Sequence, residues 1–228
     1  MSKIPKIIHQ TYKTKNIDNF PDLYKMCHYV VKELHPDFEY RLYDDDDIDF
    51  FVKSNFPEYY DSFSKLPRMI MKIDMFRYFL MYKDGGLYLD LDYLMLSPFD
   101  LLDNSVVLPC NREDSDGIIK QLGNCIFASE PGHKFWKLLI DSLFLIDRNS
   151  IDYFDDNTIT SSKFGTGPEF VFETFKENYE KLTDIDVIQR KYFHPDTVLD
   201  NDHLNKLKNS GHCYGVHICS GSWRNNEL

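Results

Sequence analysis

Residues 68–84 are apolar nearly all the way round a helical projection, and residues 87–96 (LYLDLDYLML) form an equally apolar strand beyond Asp84-Gly85-Gly86. A helix with no polar face has to be covered by other elements over most of its surface. The Asp-Gly-Gly step is a helix stop, so the chain passes directly from a buried helix into a buried strand. Lys72 and Lys83 fall about 20° apart on the helical wheel and can reach solvent together. Asp74, Arg77, Asp90 and Asp92 cannot all do so, and each needs a reason for its place in an apolar segment.

The remaining chain supplies partners for these two elements. Residues 4–11 read as a first strand, 21–35 as a helix and 38–43 as a strand, with a further helix near 47–55. The acidic run Asp44–Asp47 reads as a solvated turn whose charges favour the start of that helix. Strands are expected near 105–109, 123–128, 186–192 and 213–219, and helices near 133–146 and 168–181. Strands alternating with helices predict an α/β fold, a single Rossmann-like and mainly parallel sheet flanked by helices. Ligands of such sheets bind at the carboxyl ends of the strands. With no repeat and no linker, residues 1–228 read as one domain, and 18 Phe and 15 Tyr are ample for its core.

A formal net charge of −11 excludes an extended nucleic-acid surface, which needs clustered Lys and Arg. It does not exclude phosphate ligands, because a bound divalent cation reverses the local field. No stretch reads as a signal peptide or a transmembrane span. The five Cys form no C-x-x-C pair and leave no complete disulfide framework. A reduced, cytoplasmic setting is the expectation.

The chemistry centres on Asp90-Leu91-Asp92. In a continuous strand Tyr88, Asp90, Asp92 and Leu94 share a face, which sets two carboxylates side by side in apolar surroundings. They need a cation or strong donors, and carboxylate oxygens suit Mn2+ or Mg2+. Asp74 and Arg77, at i and i+3 of the helix, form a pair that burial makes an expensive way to gain stability. Arg77 is shaped for bidentate phosphate contact, and Asp74 can accept from sugar hydroxyls. His9, in an apolar strand, reads as a scaffold hydrogen-bonding group rather than a reactive one. His212, Cys213, His217 and Cys219 suggest a zinc cluster, but their spacing matches no familiar zinc module and buried thiols are commoner as small hydrophobes. Gly165-Thr166-Gly167-Pro168 serves equally as a helix N-terminus facing a ligand or as a plain entry turn.

The run IKIDMFRYFLMYKDGGLYLDLDY resembles the K-x-D-x-x-R-Y…GG-x-Y-x-D-x-D core of the glycosyltransferases that include the initiating α-1,6-mannosyltransferases and the glucosylating bacterial toxins. The likeness extends through IPKIIHQTYKT, EYRLYDDDD, GNCIFASEPGHKFW, GTGP and VHICSGSW, in order, from Ile4 to Trp223. It implies a GT-A fold, a divalent cation (usually Mn2+), a UDP- or GDP-sugar donor, and transfer to a glycan or other acceptor with retention at the anomeric carbon. Carried onto this chain, it implies Asp90, Asp92 and His217 as metal ligands, with Asp90 also serving the donor ribose. Asp74 and Arg77 would meet the donor sugar and phosphates, and Asn124 the sugar near its reacting carbon. Tyr12, where the family has Trp, would pack on the nucleotide base, while Ser222 and Trp223 would close over the donor on a lid formed by residues 217–228. With no carboxylate marked as a nucleophile, front-face attack by the acceptor is the expected route. A haloacid-dehalogenase-type phosphohydrolase and a catalytically silent sugar-nucleotide binding module are the rival readings.

Overall fold

The computed structural model describes residues 2–145, 165–195 and 200–219. Ser222, Trp223 and the expected lid beyond Cys219 therefore lie outside the described residues, as does the stretch 146–164.

The main sheet is built from β1 (Ile7–Thr11), β2 (Glu39–Tyr43), β3 (Gly86–Leu89), β5 (Val106–Glu113), β6 (Ile119–Leu122), β7 (Ile126–Ser129) and β8 (Ile185–Ile188), in the order β2-β1-β3-β7-β5-β6 with β8 beside β5. β1 pairs parallel with β2 and β3, and β5 parallel with β8. β7 runs antiparallel to both β3 and β5, so β1, β2, β3, β5 and β8 all point one way around a reversed inner strand. The sheet is mainly parallel as expected; the reversal arises because the chain doubles back after β5 and pairs with it on return. β6 and β7 are one returning strand with an interruption. Cys110 pairs with Leu122 and Val107 with Ala128, so six steps of the returning strand oppose three of β5. The surplus residues Gly123, Asn124 and Cys125 bulge out of the ladder, and bulges re-aim side chains.

Helix α1 (Asp22–Leu34) follows β1, while α2 (Asp45–Asn55) and α3 (Pro57–Ser64) precede α4 (Met69–Lys83). Asp44 caps α2 in a reciprocal box with Asp47, which accounts for the acidic run without a ligand. α4 has ten buried residues, from Met71 to Met81, and packs with α5 (Lys134–Asp141) into a core that includes Phe63, Phe79, Phe127 and Trp136. Trp136 is fully buried and donates its indole N–H to Ser129 Oγ at 2.7 Å, so its polar atom is satisfied. α6 (Pro168–Glu177) lies near β6, and α7 (Arg190–Phe193) and α8 (Asn201–Asn209) precede the last strand.

Three expectations need correction. The strand predicted for 186–192 is β8 followed at once by α7, and nothing in the periodicity marked α3 or α8. α3 is only eight residues long, and its opening Phe-Pro reads as a break rather than as a helix start. α8 is mostly exposed, and its only apolar stripe is the pair Leu204 and Leu207, which packs against the cluster of Cys27, Leu94 and Val216. The strand expected at 87–96 is two strands, β3 and β4 (Tyr93–Met95), separated by a turn at Asp90-Leu91-Asp92 that the Tyr93 N–H closes on the Asp90 carbonyl at 3.0 Å. β4 leaves the main sheet and pairs antiparallel with β9 (Gly215–His217), with Tyr93 opposite His217. A β-carbon on Gly215 would lie 2.4 Å from the Tyr93 ring, so this close pairing requires glycine.

His9 ties three elements together. It is completely buried in β1, with Nε2 2.9 Å from the Gly85 carbonyl and Nδ1 3.0 Å from the Tyr43 hydroxyl at the end of β2. Gly86, at φ +95°, brings the chain so near β1 that a β-carbon would lie 2.7 Å from the Ile7 carbonyl. His9 is therefore a scaffold group, and burial pushes its pKa down to about 3. The native chain keeps His9 neutral where the unfolded chain protonates it, so this term is intact above pH 6.5 and is lost progressively as pH falls towards 3. Urea unfolding at pH 7 and pH 5 should show the wild type losing about 2 kcal/mol more than His9→Gln over that interval.

Candidate functional site

Four segments meet at the carboxyl end of β3: helix α4, the Asp90–Asp92 turn, the Gly123–Cys125 bulge and strand β9. Their polar side chains form one connected system. Arg77 is its centre, 4% exposed on the inner face of α4. One terminal nitrogen donates to the Asn124 carbonyl at 2.8 Å and the other lies 3.1 Å from Asp90 Oδ1. Asp74 Oδ1 is 3.5 Å away on the same helix. The guanidinium carbon stands 4.9 Å from the centroid of the Tyr88 ring, a cation–π contact in a desolvated setting. The two terminal nitrogens, which sequence reasoning assigned to donor phosphates, are thus already engaged by Asn124 and Asp90.

Asp74 is 3% exposed, with Oδ1 accepting from Asn124 Nδ2 at 3.0 Å and Oδ2 from Thr166 Oγ1 at 3.0 Å. Burial pushes its carboxyl up to about 6, against the pull of Arg77. The Thr166 carbonyl in turn accepts from the Tyr78 hydroxyl at 2.5 Å. Gly165-Thr166-Gly167 is therefore more than an entry turn to α6, since its threonine holds an acid of α4. The i, i+3 pair on α4 could be found from sequence. The contributions of Thr166 and Tyr78 could not, because they rest on contacts between residues about ninety positions apart.

The paired carboxylates are brought together by a turn rather than by strand alternation. Asp90 Oδ1 is taken by Arg77 and by the Tyr88 hydroxyl, which donates at 2.9 Å, while Oδ2 faces His217 Nε2 at 3.7 Å. Asp92 Oδ1 is 3.1 Å from the same nitrogen. Burial raises the Asp90 pKa, partly offset by Arg77 and His217. Burial alone would lower that of His217, but Cys125, Asp92 and Cys219 around the ring outweigh it and raise the pKa above its ordinary value. One oxygen from each carboxylate and one His217 nitrogen lie within 4.8 Å of one another. Two carboxylates and an imidazole suit a hard or borderline divalent cation such as Mn2+ or Mg2+. Such an ion would balance the charge of the two carboxylates, with the neutral His217 ring as its third ligand. The donor set therefore fits the metal implied by the D-x-D motif.

Beneath the turn, Gln10 Nε2 reaches the Asp90 carbonyl at 3.3 Å, and its Oε1 accepts from the Tyr40 hydroxyl at 2.7 Å. Leu91 points away from the carboxylates into a cluster with Phe20 and Tyr24, on which Tyr12 packs edge-on at 4.7 and 5.6 Å. Tyr12 thus joins the same aromatic wall as the turn. Of the cysteines and histidines read as a possible zinc cluster, Cys213 is buried and directs its thiol to the Gly215 carbonyl at 3.4 Å, apart from His217 and Cys219.

This α/β sheet, with a D-x-D turn at a strand end, a histidine facing both carboxylates and a buried Asp–Arg pair behind it, is a GT-A fold. Residues 21–108 match the family described as the glycosyltransferase sugar-binding region containing DXD motif. Among its relatives, inositol phosphoceramide mannosyltransferase 2 of Schizosaccharomyces pombe is 30% identical over 98% of this chain and 59% of its own length. The mannosyl phosphorylinositol ceramide synthase CSH1 of Saccharomyces cerevisiae is 34% identical over 76% of this chain and 43% of its own length. The chain thus spans about half the length of these two relatives. Among solved structures, the PaToxG glycosyltransferase covers 79% of this chain and 70% of its own, with a TM-score of 0.50 at 14% identity, a likeness of fold.

The phosphohydrolase reading falls with these matches. The expectation of a cytoplasmic setting is also corrected: the relatives are named for a ceramide lipid, a membrane constituent, and the stretch aligned here is only part of their length. No helix among the described residues is long and apolar enough to cross a membrane.

Thr166→Val keeps the side-chain volume but removes the donor to Asp74. A buried carboxylate oxygen left unpaired should cost about 1–3 kcal/mol, read as a lower urea midpoint with unchanged slope.

Proposed function

We propose that this chain is the catalytic unit of a metal-dependent, retaining hexosyltransferase that uses a UDP- or GDP-sugar. The observation that carries the reading is the convergence of Asp90, Asp92 and His217 donors within 4.8 Å, beside the Arg77–Asp74–Asn124 system. Asp92 and His217 would hold Mn2+ or Mg2+ directly, and Asp90 would add Oδ2 while its other oxygen stays anchored on Arg77 and Tyr88. When bound, the cation supplies Lewis-acid neutralisation of the departing nucleoside diphosphate. Asp74 and Asn124 would meet the hexose, with Asp74 kept in place by Thr166 and Arg77. Tyr12, on the aromatic wall next to Leu91, would pack on the base, and Ser222 and Trp223 would close the donor side from the tail.

The mannosyltransferase relatives favour mannose as the sugar, and their names favour an inositol-phosphate lipid as the acceptor class. For the retained configuration, Asn124 is an amide and Asp74 is sequestered on Asn124, Thr166 and Arg77, so front-face attack by the acceptor is the preferred route. Charge stabilisation at preorganised groups is then the principal catalytic contribution.

Donor turnover should require Mn2+ or Mg2+ and be lost in Asp92→Asn with the fold retained. Sugar release or transfer from GDP-mannose and a panel of UDP-hexoses, with and without EDTA, checks this. Full activity in EDTA or in the variant would refute the metal role, and tight donor binding without turnover would leave a silent binding module. Arg77→Lys should reduce donor use at least about tenfold, because an ammonium cannot span Asp90, Asp74 and the Asn124 carbonyl at once. A lowered melting temperature with unchanged specific activity would make the pair purely structural.

A further inference from the structure

His217 presents two different faces. Nε2 faces the carboxylates Asp90 and Asp92, whereas Nδ1 lies 3.2 Å from the Cys219 thiol on the other side of the ring. His194, just beyond α7, brings its ring centroid to 5.5 Å from that of His217. One donor atom each from His194, His217 and Cys219 lie within 4.8 Å of one another. Tetrahedral Zn2+ with bonds of about 2.0–2.3 Å sets its ligands about 3.5 Å apart, so this trio needs only a small contraction. Cys219 is also the one described non-glycine residue with positive φ, at +55°. A β-carbon in that region is strained, and the strain is spent on turning the thiol back against the imidazole. Of the four residues that suggested a zinc cluster in the sequence, only His217 and Cys219 belong to this trio. His194 replaces His212 and Cys213, and it joins the site only because α7 packs against β9.

We propose that His194, His217 and Cys219 form a second, thiophilic site for a Zn2+-class ion, which shares His217 with the D-x-D site and opposes it. The two sites differ in chemistry: two nitrogens and a thiolate select soft or borderline ions, and carboxylates select Mn2+ or Mg2+. They exclude one another through the shared ring. A metal on Nδ1 leaves the proton of neutral imidazole on Nε2, where it donates to Asp92 Oδ1 and is no longer a ligand for the hard cation. Binding at either site therefore weakens the other by the same factor. The opposition rests on the proposed D-x-D metal role, whereas the thiophilic site stands on its own donors.

The test is titration of the reduced chain, residues 1–228, with Cd2+, following the thiolate-to-cadmium charge-transfer absorbance. One Cd2+ per chain should bind, with the band abolished in Cys219→Ser and the affinity lowered at least tenfold in His194→Gln. Cys110→Ser and Cys213→Ser should leave it unchanged. A band that survives Cys219→Ser, or no band at one equivalent, overturns the site. Free Mn2+ measured by electron paramagnetic resonance should show one equivalent of Zn2+ weakening Mn2+ binding at least tenfold more in the wild type than in Cys219→Ser, where only direct competition at the carboxylates remains. Unaltered Mn2+ affinity with the cadmium band present overturns the opposition. A chain that takes up no Mn2+ even without Zn2+ counts against the proposed function, and the cadmium band still decides the thiophilic site by itself.

Discussion

One buried cation organises this site. Arg77 stands on an apolar helix under the end of the sheet, and its charge is met on three sides by Asp74, Asp90 and the Asn124 carbonyl, with Tyr88 beneath. A buried guanidinium without such partners would be prohibitively unstable, so α4, the D-x-D turn and the β6–β7 bulge must dock together. Truncating Arg77 would leave Asp74 and Asp90 buried without their shared cation, so the arrangement behaves as a unit rather than as separate contacts.

That arrangement also fixes the direction of the acids around it. Asp90 divides its two oxygens, one anchored inward and one directed at His217, so its free oxygen has a fixed direction before any ligand arrives. Asp74 is likewise held by Thr166 and Asn124. In the proposed transfer, preorganisation of this kind would lower the reorganisation needed as charge develops on a leaving group. The supports come from distant parts of the chain, which ties the geometry of the site to the integrity of the whole domain.

The α/β class, the buried helix and its glycine stop, the Asp–Arg pair and the D-x-D motif were legible in the sequence. Each rests on local spacing: helical periodicity, a Gly-Gly terminator, i and i+3 on one helix. The family likeness, spread over six ordered segments, also pointed to His217 and Asn124, which periodicity does not mark. Less legible were short elements such as α3 and α8, and the reversed strand β7, whose direction depends on where the returning chain finds a pairing edge.

What the sequence determined by itself was which side chains had to be explained, because burying Asp74, Arg77, Asp90 and Asp92 in an apolar helix and strand has no local remedy. How they are satisfied was decided only in three dimensions. Strand alternation would have put Asp90 and Asp92 on one face; instead the chain turns between them and Leu91 points into the aromatic cluster of Phe20 and Tyr24. The turn forms because β4 leaves the main sheet to pair with β9, and that pairing sets His217, more than a hundred residues away, against both carboxylates. Local propensity carries no information about a contact of that separation. It exists because several elements close around one buried charge and leave its partners a single mutually satisfied arrangement.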